Sequence, residues 1–227
     1  MAANTDKPVV LYTAPTPNGW VPTILLEELK ETYGSPDYDT VYMSISDADI
    51  GKVHNQVKSD WFLKICPNGR IPALTHEGFP VFETSAILVY LAQRFDTNNT
   101  FSRDPVKDPH GYSQELQWLF FAHGGIGPMQ GQANHFNLYA PEKLPYAINR
   151  YLNESKRLYG VLEEHLKGRE YILGSYGIAD IKIFGWARIA GRTGLNMDEF
   201  PNVQAWVNRI EQRPAVARGI ALSKKAD

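Results

Sequence analysis

The stretch Asn68-Gly69-Arg70-Ile71-Pro72-Ala73-Leu74 leads into a strand, and the residues after it are just as directive. His76-Glu77-Gly78 is a turn signal, Pro80 to Phe82 makes a short return strand, and Glu83-Thr84-Ser85 opens a helix. Thr84 is a capping residue, and Ile87, Leu88, Tyr90, Leu91 and Phe95 give that helix its apolar face. Before this ββα unit, Val9 to Thr13 is apolar and β-branched, with a Pro-rich turn at Pro15 to Gly19. Pro22 suits the first turn of a helix carrying Ile24, Leu25, Leu26 and Leu29, which Gly34-Ser35-Pro36 ends. Tyr38 to Met43 reads as a second strand, Ser44 to Lys58 as a loop and Ser59 to Ile65 as a short helix.

Working toward the C-terminus, Asp96 to Pro109 is polar and contains two prolines, the composition of a linker. Beyond it the apolar spacing is helical: Gly111 to Ala122, Pro128 to Phe136, Pro145 to Leu166, Ile178 to Thr193 and Val203 to Arg213. Gly124-Gly125-Ile126-Gly127-Pro128 reads as a break between two helices, since its glycines miss the spacing of a phosphate-binding loop. The expected organisation is an α/β domain over 1–95, a linker over 96–109 and an all-helical domain over 110–227, ending in a solvated tail at Ser223–Asp227.

Composition narrows the function classes. The 227 residues are 43% hydrophobic and 21% charged, with 23 Lys plus Arg against 25 Asp plus Glu. Such a balance carries no broad basic footprint for nucleic acid. The longest apolar run, Ala86 to Ala92, is far too short to cross a bilayer, and Met1 to Pro8 has no signal-peptide core. A single cysteine, Cys66, forms no intrachain disulfide, excludes a CxxC pair and favours a reducing, cytoplasmic setting. The histidines His110, His123, His135 and His165 lack metal-ligand spacing, so no metal is expected.

Three constellations can carry chemistry. Thr16-Pro17-Asn18-Gly19 lies between a strand and a helix, where unpaired N–H groups and a positive partial charge stabilise anions such as a thiolate. Taken alone, the tetrapeptide reads first as an ordinary turn with Asn as a cap. Ile71-Pro72 is compatible with a cis bond that offers the Ile71 backbone to an extended ligand, or with a trans proline at a strand start. Glu83-Thr84 pairs a carboxylate with hydroxyl and amide donors, which suits an α-amino acid zwitterion, or is simple capping. Tyr12, inside a strand, reads as core.

In order and spacing, these segments resemble the glutathione transferase superfamily over roughly 8–222. The likeness is greatest to the Nu-class and fungal nitrogen-regulator-like members. It rests on Thr16-Pro17-Asn18-Gly19, the Asn68–Leu74 and Phe82–Leu88 motifs, Gln117-Trp118-Leu119-Phe120, Gly125-Ile126-Gly127-Pro128-Met129, His135-Phe136-Asn137 and Pro145–Tyr151. The resemblance implies a thioredoxin-like domain with a cis proline, an all-helical domain and a homodimer. It implies that Asn18 and Thr16 lie near the glutathione sulfur and that Ile71, beside Pro72, pairs with the cysteinyl unit. Glu83 and Thr84 hold the γ-glutamyl end, Gln56 contacts the glycyl end, and Arg70 flanks the site. Arg150 matches an arginine arriving from the partner subunit. Two positions depart from the pattern: Thr84 stands where relatives usually have Ser, and Gly177, in Tyr176-Gly177-Ile178-Ala179-Asp180, stands where they have Ser or Thr. Loss of such a cap costs about 1 kcal/mol.

The function implied is a glutathione-dependent transferase and disulfide-bond oxidoreductase, with weak conjugation and peroxide reduction beside it. Glutathione is the co-substrate. Phe120, Phe121, His123, Met129 and Gln130, by position at the expected break, are candidates for the second-substrate wall. The alternatives are a detoxification enzyme that conjugates aryl halides and a non-catalytic glutathione-binding carrier or regulator. If thiol chemistry occurs, its sulfur comes from the ligand, with Cys66 a bystander.

Overall fold

The computed structural model describes residues 7–222. The tail expected to be solvated, Ser223–Asp227, lies outside them. The chain forms two compact units, Met1–Asn98 with Arg213–Asp227, and Asn99–Gln212.

In the first unit, β1 (Val9–Thr13), β2 (Tyr38–Tyr42), β3 (Ala73–His76) and β4 (Phe79–Phe82) form one sheet in the order β2-β1-β3-β4. β2 runs parallel to β1, while the β1–β3 and β3–β4 pairs are antiparallel. All five residues of β1 are buried, as befits a central strand covered on both faces. Val10 and Tyr12 join Phe62, Cys66 and Ala73 in one cluster, with Phe62 supplied by the short α2 (Asp60–Leu63). The β3–β4 hairpin turns through Glu77 (φ 50°) and Gly78 (φ 80°), the two left-handed residues its tight loop requires.

α1 (Pro17–Tyr33) begins earlier than its leucine stripe suggests, with Pro17 in the first turn. Pro22 is therefore inside the helix, where it removes the N–H that would meet the Asn18 carbonyl. α3 (Thr84–Phe95) completes the expected ββα unit. The surprise is α10 (Pro214–Leu222), which belongs to this unit rather than to the helical domain expected over 110–227. It packs tightly on α1: a β-carbon at Gly219 would come within 2.7 Å of the Ile24 backbone. Arg213 grips the buried Glu28 carboxylate with two hydrogen bonds of 2.6 and 2.8 Å, and Arg218 reaches Glu27 at 2.8 Å.

The second unit is helical: α4 (Pro109–Phe121), α5 (Gly127–Asn134), α6 (Pro145–Leu166), α7 (Ile178–Ala187), the one-turn α8 (Ala190–Thr193) and α9 (Pro201–Glu211). The expected break at Gly124–Pro128 is absent. A π-helical turn over Ala122–Ile126 joins α4 to α5, and a second one, His135–Tyr139, comes after α5. A π-turn absorbs an extra residue without breaking the backbone hydrogen bonding, so the glycines and Pro128 stay inside a helical run. α7 is buried almost all round and is the axis of this unit.

The start of α7 explains Gly177. A β-carbon there would stand 2.6 Å from the Phe101 carbonyl oxygen, which itself accepts the Ile178 N–H at 2.8 Å. A backbone carbonyl thus satisfies the first-turn donor, and Asp180 accepts the Gly177 N–H at 3.1 Å. The other Asp180 oxygen accepts from Ile172 N–H (3.0 Å) and Trp206 Nε1–H (2.8 Å). Burial pushes the Asp180 carboxyl up to about 6, against the pull of these donors.

Candidate functional site

Strand register gathers the three constellations. Tyr12 pairs with Ala73, and Ala73 with Phe82. The end of β1, the start of β3 and the end of β4 therefore lie at one end of the sheet. From that end emerge Thr16–Gly19 after β1, Ile71–Pro72 before β3 and Glu83–Ser85 after β4.

Thr16, not Asn18, is the N-cap of α1. Its Oγ1 accepts the Gly19 N–H at 3.1 Å, its carbonyl accepts the Trp20 N–H at 3.0 Å, and its own N–H goes to Ala14. Asn18 is half-buried in the first turn, beyond the cap. With no acidic residue in that turn, the positive end of the helix dipole is not offset locally.

The Ile71–Pro72 bond is cis, and so is Ser35–Pro36, which in the sequence reads only as a helix stop. The sheet begins at Ala73, leaving the half-buried Ile71 outside the ladder at the site's edge. Glu83 is exposed and takes φ 73°, ψ 123°, a region disfavoured for any residue but glycine. The side-chain pattern gives no sign of this. Thr84 and Ser85 behind it are buried at the start of α3.

Other expectations fare differently. Gln56 is 1% exposed, with its amide donating to the Ser46 carbonyl at 3.2 Å and accepting the Lys58 N–H. It closes its own loop instead of presenting a free amide. Arg70 is exposed, while Cys66 is buried, its thiol donating to the Arg70 carbonyl at 3.4 Å. Tyr12 is 2% exposed, and burial raises its phenol.

In the second unit, Phe120 is 66% exposed, and Phe121, His123 and Met129 are half-buried. Gln130 is fully buried, which corrects its assignment to a substrate wall. Its Nε2 donates to Trp186 C=O (3.1 Å) and Thr193 Oγ1 (3.2 Å), and its Oε1 accepts the Tyr159 hydroxyl at 2.7 Å. The helical run through the expected break turns this residue into the core. Arg150 lies exposed on α6. Among the described residues no group of three or more His, Cys, Asp or Glu could hold a metal ion, and no helix is long and apolar enough to cross a membrane.

Known proteins resemble this chain over nearly its whole length. The model of the glutathione S-transferase N-terminal domain matches residues 7–93, and that of the C-terminal domain matches residues 136–214. The disulfide-bond oxidoreductase YfcG of Escherichia coli is 37% identical over 96% of this chain and 96% of its own length. A glutathione transferase homolog from Lodderomyces elongisporus, solved with two GSH per subunit, superposes with TM-score 0.84 at 37% identity, covering 95% of this chain and 99% of that one. The glutathione transferase URE2P6 from Phanerochaete chrysosporium, solved with oxidized glutathione, gives TM-score 0.84 at 36% identity over 96% and 97%.

Proposed function

The chain belongs to the glutathione S-transferase family, and on that premise we propose that it binds glutathione at this end of the sheet and uses the glutathione thiolate to reduce disulfides. The observation that carries the reading is the register Tyr12–Ala73–Phe82, which brings the first turn of α1, the Ile71 backbone and the start of α3 to one place.

Each group has a chemical task in this reading. The thiol must ionise near neutral pH, although a free cysteine thiol has a pKa of about 8.5. A depression of ~2 units requires roughly 2.7 kcal/mol of preference for the thiolate. A hydrogen bond from Asn18 or the Thr16 hydroxyl, together with the helix N-terminus, is of that size. The proton leaves to solvent, so no protein base is needed. Ile71 lends its backbone to the cysteinyl unit beside cis Pro72. Glu83 takes the γ-glutamyl ammonium, and Thr84 with the start of α3 takes the carboxylate. Arg70 adds positive charge at the rim. Gln56 acts by shaping its loop.

We further assign a homodimer in which Arg150 of a second copy completes the site, and a cytoplasmic location that suits the lone, buried cysteine. Phe120, Phe121, His123 and Met129 serve the second substrate. Glutathione binding is measured alongside parallel steady-state assays with a small disulfide, an aryl halide and a hydroperoxide. Disulfide turnover dominates if the reading holds; the absence of both binding and turnover overturns it.

A further inference from the structure

β1 is a buried strand of Val9, Val10, Leu11 and Tyr12 that ends on a threonine. Thr13 is 0% exposed. A hydroxyl in such a place costs free energy unless it makes a hydrogen bond. Two carbonyls lie within reach of Thr13 Oγ1, that of Gly19 at 3.1 Å and that of Ala14 at 3.5 Å, and its one proton serves the nearer. The Thr13 carbonyl accepts the Met43 N–H at 2.8 Å, just past the last β1–β2 pair at Thr13–Tyr42. Thr13 is thus fixed in the sheet through its backbone and holds α1 through its side chain.

What it holds is the weak part of the helix. Pro22 supplies no N–H, so the ladder bond to the Asn18 carbonyl does not form. Pro17 at the helix start likewise has no N–H, and the Gly19 N–H goes to Thr16 Oγ1 at 3.1 Å. Asn18 therefore stands in a turn that its own helix ties down less than an ordinary first turn. The next carbonyl along the chain, that of Gly19, is the one that Thr13 takes hold of from β1. Thr23, also buried, donates to the Trp20 carbonyl at 2.8 Å, a bond that stays within the helix. The Thr13 bond crosses from the sheet. Thr16, Pro17 and Asn18 are half-buried, while Gly19 behind them is buried. Thr13 acts from the core side and does not reach a ligand itself.

We propose that Thr13 is a positioning residue for the thiolate: its hydroxyl sets the seat of the first turn of α1, and with it the place of Asn18 against the glutathione sulfur. The inference rests on the thiolate reading of the site. A hydrogen bond weakens steeply as its direction degrades, so a small shift of the turn is felt at the sulfur. Valine at this position keeps the shape and loses the hydroxyl. Serine keeps the hydroxyl and loses a methyl group. The pair separates positioning from packing.

The test titrates the thiol of protein-bound glutathione by its thiolate absorbance. It also follows kcat for a small disulfide against pH, with glutathione saturating, in wild type, Thr13→Val and Thr13→Ser. In Thr13→Val the thiol midpoint should rise by about 1 unit, so that kcat falls about ten-fold on the acid limb and returns to the wild-type value on the alkaline plateau. Thr13→Ser should keep the wild-type midpoint, although the lost methyl lowers its thermal stability. Thr13→Ala, which loses hydroxyl and methyl together, takes the place of Thr13→Val if that variant does not fold, and its midpoint should rise in the same way. A midpoint equal to wild type in the variant without the hydroxyl, or one raised as far in Thr13→Ser, overturns the proposal while the thiolate reading stands. A wild-type midpoint at the free-thiol value overturns both.

Discussion

Gly19 lies so close to Ala14 that a β-carbon on Gly19 would collide with the Ala14 carbonyl oxygen and come within 2.7 Å of Thr13 Oγ1. The neighbours are backbone and a buried threonine, so neither can give way cheaply. Thr13 Oγ1 also donates to the Gly19 carbonyl at 3.1 Å, pinning β1 to the first turn of α1. Gly19→Ala should therefore destabilise the protein by about 1–3 kcal/mol, the range for overpacking, and weaken glutathione binding in step. Thermal unfolding and binding titration of the same variant check both.

Glu83 holds a backbone conformation suited to glycine at the site's edge. Such strain costs about 1–3 kcal/mol. Glu83→Gly should raise thermal stability yet increase the KM for glutathione at least ten-fold. Glu83→Gln should raise KM similarly with little change in stability. A Glu83→Gly variant with higher stability and unchanged KM would remove Glu83 from the ligand site.

Asp180 gives a pH signature. Its folded carboxyl is raised to about 6 by burial, above its unfolded value of about 3.9. Between those values the folded state holds more protons than the unfolded one. The stability contributed by this group is complete below about pH 4, falls as pH rises toward 6 and is flat above. Denaturant unfolding across that range should show wild type losing stability relative to Asp180→Asn as pH rises. Asp180→Ala strands the Ile172, Gly177 and Trp206 donors and should cost about 3–5 kcal/mol.

Gln130 ties α6, α7 and α8 to α5 through its amide. Gln130→Leu leaves the Tyr159 hydroxyl buried without its acceptor and should cost about 1–3 kcal/mol. If Gln130 is purely structural, KM for glutathione and for the disulfide stays at its wild-type value in the folded variant.

Much of the architecture is legible because the patterns are local. The stripe Ile24, Leu25, Leu26 and Leu29 specifies α1, and Glu77-Gly78 specifies the hairpin turn. The site segments are legible as motifs, since the Thr16–Gly19 turn and a proline at the entry to β3 act through their own backbone, although the cap is Thr16 where the sequence suggests Asn18. What escapes the sequence is set by distant partners. The place of α10 depends on Gly219 meeting Ile24 and on Arg213 meeting Glu28. The burial of Gln130 depends on a π-turn that keeps a glycine-rich stretch helical. The absence of a hydroxyl at Gly177 is intelligible only once the Phe101 carbonyl is seen in its place. Gln56 looks like a ligand group until its amide is found closing the 46–58 loop.

Everything proposed for the reaction depends on the first turn of α1 lowering the pKa of a borrowed thiol. Ultraviolet difference titration of protein-bound glutathione against pH measures that directly. The thiol should ionise ~2 units below a free thiol of about 8.5, moving back toward that value in Asn18→Ala with the fold intact. A bound thiol that ionises as it does in water would mean that the helix start does not activate it.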